Sequence, residues 1–102
     1  MKLKYFGKTF NLKPIKDTYA RDNSLAVILI DTKVDDIFDC LTVNIAESIL
    51  LKDNEAFVDT NNNPWATEFI EDNKLGKFTG RYGHSGYCTY PLYQFDLQKL
   101  NK

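Results

Sequence analysis

The chain lacks any apolar run near the ~20 residues that a membrane helix needs. The longest, LAVILI, covers only residues 25–30. A secretory leader is not expected either, because Met1-Lys2-Leu3-Lys4-Tyr5-Phe6-Gly7-Lys8 offers no apolar stretch. Cysteine is scarce, with Cys40 and Cys88 alone. That argues against a disulfide framework and for a cytoplasmic protein whose thiols stay reduced. Charge of one sign is not in excess either: the net charge is −1. A direct nucleic-acid binder carries a net basic domain, so neither nucleic acid nor a membrane is an expected partner. No internal repeat, linker or low-complexity stretch divides residues 1–102, which are expected to form a single domain. A chain of this length buries roughly two-thirds of its unfolded surface, enough for a core without a metal or disulfide staple.

What the sequence does hold is aromatic side chains: seven Phe, six Tyr and one Trp. Such rings favour pleated, half-buried surfaces, so more strand than helix is expected. The charges are segregated along the chain. Residues 1–21 carry a balance of +5, residues 22–73 a balance of −10, and residues 74–102 a balance of +4. Basic ends folded over an acidic middle would account for this. So would an acidic face that docks on a basic protein groove.

In chain order, Lys2–Phe6 and Thr9–Leu12 flank Gly7-Lys8, a connection with glycine first that suits a type II′ hairpin. Pro14 and the polar run Lys16–Asn23 are expected to end it in a loop. Residues 25–30 read as a central strand. Thr32–Asp36 is a turn, and Phe38–Ile45 alternates as a strand with Leu41, Val43 and Ile45 on one face. Ala46–Asn54 reads either as a short helical turn or as a buried crossing, and Ala56–Val58 as a short strand. Asn63 before Pro64 signals a helix start, since Asn caps a free backbone N–H and Pro forgoes no hydrogen bond there. Trp65 and Phe69, with Ala66 and Ile70, give that helix an apolar face, while Glu68, Glu71 and Asp72 face outward. Strands Lys77–Tyr82 and Tyr87–Phe95 are expected around a Gly83–Gly86 loop, the last one an edge or bulged at Pro91. Leu97 to Leu100 reads as one helical turn. The expected fold class is α+β: an antiparallel sheet of about five to six strands with one main helix, about residues 64–73, packed on one face. Trp65, Phe69, Leu41, Val43, Val27 and Leu29 are the expected core.

Several runs carry a resemblance. They are Val58-Asp59-Thr60-Asn61-Asn62-Asn63-Pro64, Glu68-Phe69-Ile70-Glu71-Asp72-Asn73, Leu75-Gly76, Thr79-Gly80-Arg81 and Ser85-Gly86-Tyr87-Cys88-Thr89-Tyr90-Pro91-Leu92-Tyr93. Together with Leu41-Thr42-Val43-Asn44 they resemble the domain-of-unknown-function family 4313, small proteins of phages and conjugative elements. Lys74 stands where that pattern leads one to expect glycine. The resemblance implies an accessory protein of a mobile element and brings no catalytic residues with it. By analogy of context, such proteins bind and inhibit host defence machinery, CRISPR nucleases included.

Candidate chemistry stands beside simpler readings. His84 and Cys88 lie four apart, and Cys40 would complete a set that suits zinc. Packing of both cysteines and a surface histidine is the plainer account. Gly83-His84-Ser85-Gly86 fails as a nucleophile elbow because Tyr87 occupies the required glycine position. Gly76, Gly80, Gly83 and Gly86 with Lys77 and Arg81 would cradle an anion, or simply serve turns and bulges. Asp35, Asp36 and Asp39 match no calcium loop and read as a solvated turn or a docking surface. Arg81 with Tyr82 and Tyr87 forms the preferred contact patch, since Tyr and Arg concentrate interface energy.

The expectation is therefore a non-enzymatic protein of a phage or mobile element, anti-CRISPR-like, that inhibits a host nuclease. Its acidic and aromatic surface would comprise Asp35, Asp36, Asp39, Glu68, Glu71, Asp72, Arg81, Tyr82 and Tyr87. No cofactor is expected unless His84, Cys88 and Cys40 hold zinc. The alternative is an accessory protein of conjugation or replication, with a structural zinc or a protein-partner site. An exposed edge strand leaves a homodimer open.

Overall fold

The structure, a computed structural model, describes residues 1–45 and 51–101. The reading of Ala46–Asn54 falls in part on residues 46–50, which lie outside the described residues. Among the described residues, eight strands form two antiparallel sheets where one sheet of five to six strands was expected. The first is a meander of β1 (Lys2–Tyr5), β2 (Lys8–Thr18), β3 (Leu25–Asp31) and β4 (Asp36–Cys40) in that order. The second holds β5 (Thr42–Val43), β6 (Glu55–Val58), β7 (Gly76–Ser85) and β8 (Cys88–Phe95), ordered β5-β6-β8-β7. One helix, α1 (Ala66–Asp72), connects β6 to β7, and a 3-10 turn (Leu97–Lys99) follows β8. The architecture is α+β, largely antiparallel.

Leu41 divides the two sheets. Its N–H donates to the Val27 carbonyl of β3 at 2.8 Å, and its carbonyl accepts from Asp59 N–H, just past β6, at 3.0 Å. The expected strand Phe38–Ile45 is therefore two short strands in different sheets. Alternation resets at this corner, so Leu41 is fully buried in the main core while Val43 packs with Ile45 on the far side of the second sheet.

The main core fills the space between the sheets and the helix. Leu12, Val27 and Leu29 come from the first sheet, Val58, Tyr93 and Phe95 from the second, and Ala66, Phe69 and Ile70 from α1. Trp65 is half-buried at its rim, with ring centroids about 6 Å from those of Tyr5, Phe38 and Phe69. A smaller cluster of Ile45, Phe57, Tyr90 and Leu92 covers the other face of the second sheet, with Leu51 packed against it.

Three local expectations are corrected. The first hairpin turns at Phe6-Gly7, both at positive φ (49° and 74°), which is a type I′ turn one residue earlier than expected. Pro14 does not end β2, because its carbonyl points away from β3 and accepts from Asn101 N–H at 2.9 Å and Asn101 Nδ2 at 3.1 Å. Its missing donor therefore faces the sheet edge and breaks no ladder bond. Asn63 does not cap α1 with its side chain; Trp65 is the N-cap residue, with no side-chain cap bond. The Asn63 carboxamide donates instead to the Cys40 carbonyl at 3.1 Å.

Candidate functional site

The β7–β8 hairpin turns at Gly86-Tyr87, so Gly83, His84 and Ser85 of the expected loop belong to β7 instead. Phe78 pairs with Tyr93 and Tyr82 with Pro91, which leaves β7 bulged opposite Leu92. Thr79 Oγ1 donates to the Leu92 carbonyl at 2.8 Å and accepts from Arg81 N–H at 3.2 Å, satisfying the ladder that the bulge interrupts. The last strand was expected to be an edge or bulged at Pro91; instead β8 lies between β6 and β7, and the extra residues, 79–81, are on β7 opposite Leu92.

Register and alternation put Phe78, Tyr82 and His84 of β7 on one face with Thr89, Pro91 and Tyr93 of β8. This face is continuous with the main core, but the end of the hairpin runs past the helix. There, Phe78, Tyr82, Pro91 and Tyr93 form an aromatic shelf completed by Thr60 and Thr67, enclosing a shallow recess of ≈ 350 Å³. The Phe78 and Tyr82 rings meet edge to face at 5.2 Å, and Phe78 lies 5.8 Å from Tyr93. Phe78 is 42% and Tyr82 54% exposed. Tyr93 is buried and donates to Glu71 Oε2 at 2.8 Å. Burial first, and then the Glu71 carboxylate, push its hydroxyl pKa well above the usual tyrosine value. The shelf thus offers an apolar floor, two exposed rings and a rim of threonine hydroxyls.

Arg81 faces the other way. Its guanidinium lies 3.6 Å from the buried carboxylate of Glu55, across β8, and Glu55 also accepts from Lys52 N–H at 3.0 Å. The arginine offsets a buried charge, and removing it would leave Glu55 uncompensated. Tyr87 stands fully exposed at the hairpin tip. The expected patch of Arg81, Tyr82 and Tyr87 is accordingly split over two faces and a tip.

The zinc set does not come together. His84 is in register with Thr89, whose Oγ1 lies 3.1 Å from Nδ1, while Cys88 is in register with Ser85 and faces the smaller core cluster. His84 and Cys88 thus project from opposite faces. Cys40 sits in a different group, with its Sγ 3.7 Å from Tyr19 Oη and 3.3 Å from the Thr42 carbonyl. Among the described residues no three His, Cys, Asp or Glu side chains group closely enough to hold a metal ion. The glycines form no shared cradle either, because a Cβ on Gly83 would lie 2.5 Å from the Phe57 ring.

The acids divide as well. Glu68 and Asp72 line a recess with Lys2 and Lys4 of β1, as basic ends folded over an acidic middle would require, whereas Glu71 is bound to Tyr93. Asp35, in the β3–β4 turn, and Asp36, the first residue of β4, are exposed, with Asp39 half-buried beyond them.

The sequence pattern of one family, described as a domain of unknown function (DUF4313), matches residues 15–102. The chain belongs to the DUF4313 family. No curated protein and no solved structure matches it. The DUF4313 match begins within β2 and takes in all of β7 and β8, so the whole shelf lies inside it. Sequence reasoning found Tyr82 but missed Phe78, Pro91, Thr60 and Thr67. The available signal was the even spacing of Phe78, Tyr82 and His84, which sets three large side chains on one strand face. Among the described residues of this DUF4313 chain, no helix is long and apolar enough to cross a membrane.

Proposed function

We propose that the chain is a non-enzymatic binding protein that grips a protein partner with its aromatic shelf. The observation that carries this reading is the exposure of Phe78 and Tyr82 above a buried aromatic floor. Rigid, half-exposed rings over a closed core are the groups that concentrate interface energy. His84 and Ser85 are neighbours in an extended strand and point to opposite faces, which supports a binding role over a hydrolytic one. The partner we assign is a host defence nuclease, as for an anti-CRISPR inhibitor. That assignment rests on the mobile-element setting the resemblance implies and on the −10 balance of residues 22–73, whose field would steer the chain toward a basic surface.

The test compares tagged wild type with a Phe78→Ser, Tyr82→Ser double variant in pull-downs from host lysate, washed at low and high salt. Both positions are open enough for the variant to fold, which a thermal melt checks. The expected outcome is a defence nuclease retained by wild type, released at high salt, and lost from the variant by roughly thirtyfold or more in affinity. Equal retention by the two proteins would refute the shelf. Recovery of conjugation or replication proteins instead would replace the inhibitor reading with the accessory one.

A further inference from the structure

The first sheet has an outer face that the shelf does not use. Register sets Lys13 beside Ile30 and Ile30 beside Ile37, with Ile15 beside Ile28 in the next row. Alternation places these opposite to Leu12, Val27 and Leu29, which line the main core. Ile15, Ile28, Ile30 and Ile37 therefore make one continuous apolar patch that belongs to neither core cluster. Ile37 is 63% exposed and the other three are half-buried. The open face of an antiparallel sheet ordinarily carries polar side chains, and an isoleucine block at its centre marks a covered surface.

The rim says what covers it. Lys13 stands on the β2 flank, Asp35 and Asp36 stand at the β4 flank, and these three with Ile15, Ile30 and Ile37 line a recess of ≈ 460 Å³. The ion pairs among the described residues are Arg21–Asp22 and Arg81–Glu55, so none of the three rim charges is paired there. We propose that a second copy of the chain covers this face. A twofold axis running along β3 between two such faces sets β2 of each copy over β4 of the other. Lys13 of one copy then meets Asp35 and Asp36 of its twin, twice, and the eight isoleucines of the two patches pack between the flanks. A cation on one flank and two anions on the other make the surface complementary to itself, as an isologous interface requires. A rim of one sign would have called for a foreign partner of the other. Sheets packed face to face lie about 10 Å apart, a gap that lysine and aspartate side chains bridge together. The patch is on the order of a few hundred Å², below the ~800 Å² per partner of tight dimers, so a micromolar dissociation constant is expected.

This inference uses a different sheet from the shelf and stands or falls apart from the proposed function. Sedimentation equilibrium of the full chain from low to high micromolar concentration should show a monomer–dimer equilibrium. Ile37→Glu, at an exposed position, should leave the circular dichroism unchanged and the chain monomeric. Lys13→Glu should weaken the dimer by roughly tenfold, and adding Asp35→Lys and Asp36→Lys to it should restore most of that loss. The Phe78→Ser, Tyr82→Ser variant should dimerise like wild type. A wild type that stays monomeric throughout would overturn the proposal, as would a dimer indifferent to Ile37→Glu. The charge series tests the same contact at exposed positions should Ile37→Glu fail to fold, and a swap without rescue would also overturn it.

Discussion

Lys74 holds a backbone conformation that its side chain opposes. After α1 its φ is 54°, the left-handed region, while Leu75 N–H donates to the Ile70 carbonyl at 2.9 Å and Lys74 N–H to the Glu71 carbonyl at 3.1 Å. This is a Schellman stop, and the accompanying contact is present because Ile70 and Leu75 are both fully buried. The family resemblance raised the point, since its pattern led one to expect glycine there. Lys74→Gly is predicted to stabilise the fold by about 0.5–1 kcal/mol, measured by urea denaturation, because it relieves the left-handed penalty. The bond from Lys99 Nζ to the Lys74 carbonyl, 2.9 Å, uses backbone and survives the change. Phe6, at φ 49° and 86% exposed, shows the opposite case. Nothing local announces a phenylalanine in a left-handed turn, so the hairpin was placed one residue late.

Elements were legible where a single strand or face explains the pattern, and they failed where distant groups decide. LAVILI became β3, extended by one residue to Asp31, and Ala66, Phe69 and Ile70 of the expected stripe became the buried face of α1, with Trp65 half-buried just before it. The helix start moved from Pro64 to Ala66 because Asn63, 3% exposed, spends its carboxamide on a strand 23 residues earlier in the chain. Asn63→Ala should therefore act as a loss of tertiary contact more than as a lost cap. It leaves the part-buried Cys40 carbonyl without that donor, at a cost of about 1 kcal/mol. Amide exchange should rise at Leu41 and Asp59 together, with α1 itself little changed; exchange confined to the first turn of α1 would restore the capping view. The break at Leu41 was equally invisible, since Phe38–Ile45 alternates well enough for one strand. The split of Arg81 from Tyr82 needs only alternation, which the sequence did contain.

For the whole molecule, one buried and one half-buried tyrosine hydroxyl weigh on the alkaline limit. Tyr93 and Tyr19 both have pKa values raised above the ordinary 10.0, in each case with burial as the largest cause. Tyr19 also meets Thr42 Oγ1 at 2.8 Å at the seam between the sheets, a contact that works against the rise, while Cys40 beside it adds to the rise. In the native state each keeps its proton when the unfolded chain has lost it. Their contribution is therefore complete below pH 10 and declines as pH rises toward the folded values. Urea melts between about pH 8 and 11 should show stability falling above pH 10, and Tyr93→Phe should flatten that fall. An unchanged alkaline limb in the variant would remove Tyr93 from the explanation.

The contact of Asn101 with Pro14 joins residues 87 apart in the chain. Its backbone completes the free edge of β2, with Lys16 N–H donating to the Asn101 carbonyl. On a ribosome adding about 5–20 residues per second, that edge waits roughly 4–17 s for its last neighbour to be made. For those seconds β2 is an open template for any other extended segment. The one residue there that offers no donor, Pro14, shortens the run of N–H groups a stray strand would pair with. A proline that looked like a strand terminator thus also guards the nascent chain against mispairing until Asn101 arrives.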